Sequence, residues 1–346
     1  MRAIVYEEFN GPIGIRSVSK PSPGPGEVIL KVEATGVCRS DWHGWQGHDS
    51  AITSLPHVPG HEMAGELSEI GDEVPDWNPG DRVVVPFVAG CGVCEMCLQG
   101  DPQVCPNQEQ PGFTQWGSFA EYVKIPYANH NLVTLPSSID FVTAVSLGCR
   151  FTTAYRAVVD RANVKRGEWL AVHGCGGVGL SAVMIGVSQG ARVVAIDINP
   201  GALELAQSLG AEVTVDGSGD VSAEVQTATG GGAHVSIDAV GSAGVVLNSI
   251  GALRRRGRHV QVGLLTGTET PTQIPMDRVI AWELDLLGSH GAQASLFSHL
   301  FAMIDNSQLD PSRLVTRRLS LELGAAALEK FDSEPTPGIA VIEPWN

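Results

Sequence analysis

Between residues 168 and 189 the chain passes from an apolar run, Glu168–His173, through a glycine turn into Val178–Gln189, whose apolar residues repeat with helical spacing. The turn, His173-Gly174-Cys175-Gly176-Gly177-Val178-Gly179, contains G-x-G-x-x-G. With 41 glycines in 346 residues the pattern alone carries little weight. Set between a strand and a helix, it is the arrangement a dinucleotide site requires. Gly174 allows the tight turn, Gly176 lets the backbone approach a pyrophosphate, and Gly179 lets helix and strand pack closely. Free N–H groups at the helix start, from Gly177 and Val178 on, then face the phosphates. Asp197 ends the next strand, 21 residues after Gly176, where a carboxylate would accept hydrogen bonds from ribose hydroxyls and repel a 2′-phosphate. NAD is therefore expected over NADP.

The rhythm around this turn sets the fold class. Strand-like runs at Arg192–Asp197, Val213–Val215, Val235–Asp238, His259–Val262 and Leu284–Leu287 alternate with helical stretches at Ala202–Leu209, Ala223–Thr227 and Ala243–Ala252. Such alternation predicts a doubly wound parallel sheet covered on both faces. The first third reads differently. Glu27–Glu33, Asp81–Phe87 and Ala120–Ile125 are short strands divided by Gly and Pro turns, as in a β-rich, partly open barrel. After about residue 290 one amphipathic helix (Leu296, Phe297, Leu300, Phe301, Ile304) precedes a strand-like tail expected to return to the first domain. The overall class is α/β with a β-rich second domain, and 346 residues suit two cores.

Two metal-ligating sets stand out. Cys91, Cys94, Cys97 and Cys105 have the spacing C-x2-C-x2-C-x7-C, which can close a tetrahedral thiolate shell around structural Zn²⁺ and leaves no open position for catalysis. A zinc ribbon for nucleic acid would use two separated pairs with basic flanks, and the net charge of −16 also argues against a phosphate-binding partner. Cys38 and His61 in the β-rich part, with Cys149 at its end, form a second set: two Cys and one His, leaving the fourth zinc position for water or substrate. An odd count of seven cysteines, four of them between 91 and 105, suits metal binding in a reducing compartment. With neither a signal-peptide pattern at the start nor an apolar run long enough to span a membrane, a cytoplasmic protein is expected.

Taken together, C-R-S-D-x-H, G-H-E, the four-cysteine lobe, a late Cys, G-x-G-x-x-G and the following Asp resemble, in this order, the zinc-containing medium-chain alcohol dehydrogenases. The resemblance implies a GroES-like catalytic domain (1–150 with 290–346), a Rossmann NAD-binding domain (151–289), and an active site between them. Catalytic zinc would sit on Cys38, His61 and Cys149, and a second, structural zinc on the four-cysteine lobe. Asp41 would orient His61, and Glu62 would be a carboxylate near the metal. Zinc would lower the pKa of a bound alcohol, Ser40 and His43 would relay its proton, and hydride would pass to the nicotinamide. Arg39 matches a pyrophosphate contact, Thr153 a nicotinamide contact, and Val178 a residue behind the ring; Val262 is a further expected cofactor contact. Phe87, Phe113 and Trp116 would line an apolar substrate pocket, with Trp42, Trp45 and Phe151 near in sequence.

The short interval from the lobe to Phe113 resembles the tetrameric microbial branch, which implies a homotetramer acting on a small alcohol or carbonyl compound, with no nucleic-acid or membrane partner. A polyol or amino-alcohol dehydrogenase is the competing reading, although Cys149 stands where sorbitol-type relatives usually carry Glu. Three positions depart from the family. Ala202 and Ile339 stand where basic cofactor contacts are common, and Arg150 follows the third ligand, where small residues are common. Arg150 is expected to pair with the cofactor pyrophosphate or with Glu62, or else to reach solvent or a subunit contact.

Overall fold

The strand Val28–Val37 organises the first unit, because every second residue can point into a core while its neighbours pair on both edges. The computed structural model describes residues 1–266 and 272–346. One edge of this strand pairs antiparallel with Met63–Ile70. Along the other, Val28–Lys31 meets Tyr122–Ile125 and Thr35–Val37 meets Ile339–Ile342. Arg82–Val85 and Val133–Thr134 extend the sheet beyond Met63–Ile70, and Val315–Leu319 pairs with Ile339–Ile342 at the opposite edge. Val28, Leu30, Val32, Met63, Val83, Val85 and Ile125 close one core. The unit comprises Met1–Thr152, Gly291–Pro335 and Ile339–Asn346.

Thr153–His290 and Thr336–Gly338 form the second unit. Six strands lie parallel in the order Val213–Asp216, Arg192–Asp197, Trp169–His173, Ala233–Asp238, Leu253–Gln261, Asp285–Gly288. Strand order reverses at Trp169–His173, so the glycine turn that follows it lies at the topological switch point, where such sheets bind ligands. The expected elements are present with boundaries moved by a few residues. The largest extension is Leu253–Gln261, where Arg254, Arg255 and Arg256 hide the strand from a search for apolar runs.

One expectation is corrected. The tail after the helix Leu296–Asp305 is not merely strand-like: a second helix, Leu321–Glu329, lies between Val315–Leu319 and Ile339–Ile342. Ser320 caps it, and Leu321, Ala325 and Leu328 pack with Ile4 and Ile342. Its Gly324 and its alanines weaken the apolar stripe that would have announced it. Ala202 and Ile339, the expected gaps in cofactor contact, are both buried, and Ile339 belongs to the sheet core.

The glycine turn separates two kinds of glycine. A Cβ on Gly179 would lie 1.7 Å from the Gly174 carbonyl oxygen, whereas one on Gly176 would meet nothing within 4 Å. Gly179→Ala should therefore destabilise the second unit by about 3 kcal/mol, the cost of overpacking without room to relax. Gly176→Ala should leave its melting temperature close to wild type. Thermal denaturation of both variants checks this, and equal melting temperatures would contradict the packing.

Candidate active site and metal centres

Asp41 is the hub of the first site. It lies in the short helix Arg39–Trp45, which follows directly on Val28–Val37. Its Oδ2 accepts the Cys38 N–H at 2.9 Å, closing the helix start. Its Oδ1 accepts the Gly60 N–H at 3.0 Å and faces His61 Nδ1 at 2.8 Å. An ionised carboxylate can only accept, so Nδ1 carries a proton, and in the neutral imidazole that a metal requires the lone pair is on Nε2. Nε2 is buried and has no hydrogen-bond partner. Burial pushes the His61 imidazole toward neutrality, but the Asp41 charge and hydrogen bond outweigh it and raise its pKa well above the ordinary value.

Cys149 arrives from a π-helical turn, Leu147–Phe151, in which Gly148 leaves the helical region (φ −47°, ψ −132°). Ligand atoms of Cys38, His61, Glu62 and Cys149 all lie within 4.8 Å of one another. A hydrogen bond from the Cys149 thiol holds Cys38 well below its usual thiol range despite burial. Two thiols and an orphaned imidazole nitrogen in one buried cluster fit a tetrahedral soft-metal site with room for one more ligand.

Glu62 is completely buried, and its charge is met by Arg150. Arg150 donates its backbone N–H and Nε–H to Glu62 Oε1 at 3.1 and 3.0 Å, and Nη2 to Oε2. Nη1 donates to the Val37 carbonyl at 2.9 Å. Of the partners expected for Arg150, this is the Glu62 pairing; the residue does not reach solvent. Burial raises the Glu62 pKa and the Arg150 charge lowers it, with a net rise.

Around this cluster, Phe113 and Phe87 place their rings 5.1 and 6.0 Å from the His61 ring, both residues being buried. Trp45 and Phe151 belong to the core, the former donating to the Gly11 carbonyl at 2.9 Å. Trp116 is 38 % exposed and donates to the Pro56 carbonyl. Ser40 lies beside Cys38, its hydroxyl 3.8 Å from Sγ. His43 shares a 3.0 Å Nδ1–Nδ1 hydrogen bond with His48, which sequence reading passed over because His48 follows the helix with no periodic signal. Burial and the neighbouring Arg39 push the His43 pKa down. Arg39 pairs with Asp332 at 3.1 Å and lies over the Trp42 and Phe331 rings.

Cys91, Cys94, Cys97 and Cys105 form a second cluster within 4.8 Å. Cys105 Sγ accepts backbone N–H groups from Cys91 and Asn107 at 3.5 and 3.3 Å, although burial raises its pKa on balance, and Cys91 is lowered to about 6, chiefly by the Val93 N–H. Donors aimed at sulfur favour thiolates, the form that binds metal. Disulfides are absent among the described residues, where all seven cysteines are free.

In the second unit, the helix Gly177–Ser188 starts at Gly176, and Gly174 has φ +89°. A Cβ on Gly174 would strike Val240, so this glycine, like Gly179, is required by the protein itself. Open space at Gly176 instead fits an approaching pyrophosphate. Asp197 holds the turn from below, accepting the Cys175 and Asn199 N–H groups at 2.6 and 2.8 Å. Val262 donates its N–H to the Asp238 carbonyl, and the buried Thr153 hydroxyl has no partner.

Known proteins of similar sequence and fold identify the family. Residues 24–137 match the alcohol dehydrogenase GroES-like domain, and residues 177–306 match the zinc-binding dehydrogenase family. An alcohol dehydrogenase of Geobacillus stearothermophilus is 35% identical over 80% of both chains. One from Rhizobium meliloti is 37% identical over 77% of this chain and 78% of its own. Among solved structures, the alcohol dehydrogenase of Aeropyrum pernix superposes with a TM-score of 0.90 at 31% identity, covering 99% of this chain and 100% of that one. With a GroES-like unit, a Rossmann-type unit and relatives of this closeness, the chain belongs to the zinc-type medium-chain alcohol dehydrogenases and is an oxidoreductase of that family.

Proposed function

We propose that the protein is an NAD-linked dehydrogenase for small, largely apolar alcohols, carrying one catalytic and one structural zinc. The observation that supports it most is the buried cluster of Cys38, His61 and Cys149, with His61 Nε2 orphaned and two phenylalanine rings against the imidazole. Zinc held there supplies Lewis acidity, bringing the ionisation of an alcohol hydroxyl toward neutral pH and polarising a carbonyl in the reverse direction. Asp41 keeps His61 in the tautomer that presents Nε2 to the metal. Phe87 and Phe113 exclude water and favour an apolar carbon chain over a polyol. Ser40 is placed to take the hydroxyl proton, and His43 to deliver it toward His48 and solvent.

Gly174, Gly176, Gly177, Val178 and Gly179 would cradle the cofactor pyrophosphate, with Thr153 and Val262 toward the nicotinamide and Arg39 offering a cation. For Arg39 to do so it must exchange Asp332 for phosphate, a small change for an exposed pair. Asp197 is assigned to the ribose, and Ile198 and Asn199 after it offer no cation for a 2′-phosphate. A homotetramer is proposed as well: Asp285–Gly288 is the open edge of its sheet, and the adjoining helix Met276–Trp282 exposes Met276 and Ile280. No helix among the described residues is long and apolar enough to cross a membrane, and seven free thiols suit the reducing cytoplasm.

Metal analysis of freshly purified protein should find about two zinc equivalents per chain, since each cluster binds one ion. One equivalent would remove either the lobe or the catalytic site from this reading.

A screen of primary, secondary and aromatic alcohols should give NAD⁺ reduction well above NADP⁺ reduction, and Asp197→Gly should narrow the gap. Equal use of both cofactors by the wild type would remove the ribose role of Asp197.

Because His43 is pushed below its ordinary pKa, it stays neutral, and able to accept a proton, to lower pH than a free imidazole. His43→Gln should slow alcohol oxidation by up to about 10²-fold, with added amine base restoring part of the rate. An unchanged pH–rate profile would leave His43 outside the relay.

A further inference from the structure

The zinc cluster contains one carboxylate too many. A Glu62 oxygen lies within 4.8 Å of the ligand atoms of Cys38, His61 and Cys149. A carboxylate at that distance, moved slightly, would close the shell with a fourth protein ligand, as structural zinc sites do, and leave no position for substrate. Glu62 is completely buried, so water cannot share its charge. Among the described residues Arg150 is the guanidinium bonded to it, and a metal held by Cys38, His61 and Cys149 would compete for the same carboxylate.

Every contact of Arg150 weighs against the metal. Its guanidinium takes both Glu62 oxygens, and its backbone N–H adds a third bond. Nη1 is tied to the Val37 carbonyl, the residue before Cys38, so the guanidinium is referenced to the same strand end that carries the first ligand. Two glycines make the room. A Cβ on Gly36 would lie 2.2 Å from Glu62 Oε2 and 2.6 Å from Arg150 Nη2, and one on Gly148 would lie 2.9 Å from Glu62 Cβ. Planar, bidentate pairing is what guanidinium does and ammonium cannot.

We propose that Arg150 is a positioning residue that holds the Glu62 carboxylate out of the metal shell, keeping the fourth coordination position open for substrate. The inference rests on zinc binding at Cys38, His61 and Cys149. Without Arg150, the buried carboxylate has the metal as its nearest remaining cation, and the site closes on itself.

Cobalt substitution reads the coordination directly, with imidazole as the added ligand. The four-thiolate cluster has no open position and stays silent in this assay. Wild-type cobalt protein should change its visible spectrum as imidazole is added. Arg150→Met should take up cobalt but bind imidazole at least about tenfold more weakly, the scale on which residues behind the ligands act. Arg150→Lys should fall between the two. The double variant Arg150→Met/Glu62→Gln, which removes both charges together, should recover imidazole binding close to wild type. Wild-type imidazole affinity in both Arg150→Met and Arg150→Lys would overturn the proposal. So would a double variant as unresponsive as Arg150→Met, because the defect would then not pass through Glu62. Should Arg150→Met not fold, Arg150→Lys and the double variant decide by the same criteria. Failure of the wild type to bind cobalt at this cluster would instead overturn the zinc assignment beneath it.

Discussion

One buried carboxylate ties the active-site half of this protein together. Asp41 accepts hydrogen bonds from Cys38, Gly60 and His61, and so joins a helix start, a loop and an imidazole into one unit. Each bond answers a different need. The first caps a helix too short to hold itself, the second orders the loop before Met63–Ile70, and the third settles which imidazole nitrogen is free. An ionised group inside a protein is tolerated only when it is well hydrogen-bonded, and these three bonds engage both Asp41 oxygens. Loss of the Asp41 charge would unfasten Cys38 and His61 at once.

Glu62 and Arg150 form a buried ion pair in the same cluster, and the two carboxylates divide the work. Asp41 orients the His61 imidazole, while Arg150 holds the Glu62 carboxylate. A buried pair contributes little net stability compared with an apolar replacement, yet breaking it by removing one partner costs about 3–5 kcal/mol. Its value therefore lies in geometry. Gly36 and Gly148, neither at a positive φ, are explained by the room this pair occupies rather than by backbone freedom.

In the nucleotide-binding unit the controlling constraint is steric. Gly179 touches the Gly174 carbonyl so closely that no side chain fits, which brings the helix Gly177–Ser188 down onto its strand. Asp197 then braces the turn through Cys175 and Asn199. Both of its oxygens are engaged by backbone N–H groups, and each retains a lone pair.

What could be read in the chain, and what could not, follows from the range of the forces involved. Local signals were legible: the glycine turn, the four-cysteine lobe and the alternation of strand and helix each depend on residues close in sequence, whereas Cys38, His61 and Cys149 were joined through the order of motifs that the family resemblance rests on. They were sufficient for the fold class and the family, as the β-rich unit, the parallel sheet and the relatives agree. The helix Leu321–Glu329 escaped because its burial is decided by distant partners, Ile4 and Ile342, and the strand Leu253–Gln261 because Arg254–Arg256, exposed and in the bulge between the Leu253 and Arg258 pairings, carry no apolar alternation. Arg150 shows the limit most plainly. Its position beside a zinc ligand was visible, but its partner lies 88 residues away, and several partners were compatible with the sequence. Short-range pattern determined which residues this protein has for its chemistry. Only the tertiary structure decided which buried charges meet, because the energy of a buried charge depends on neighbours that the chain brings together through folding.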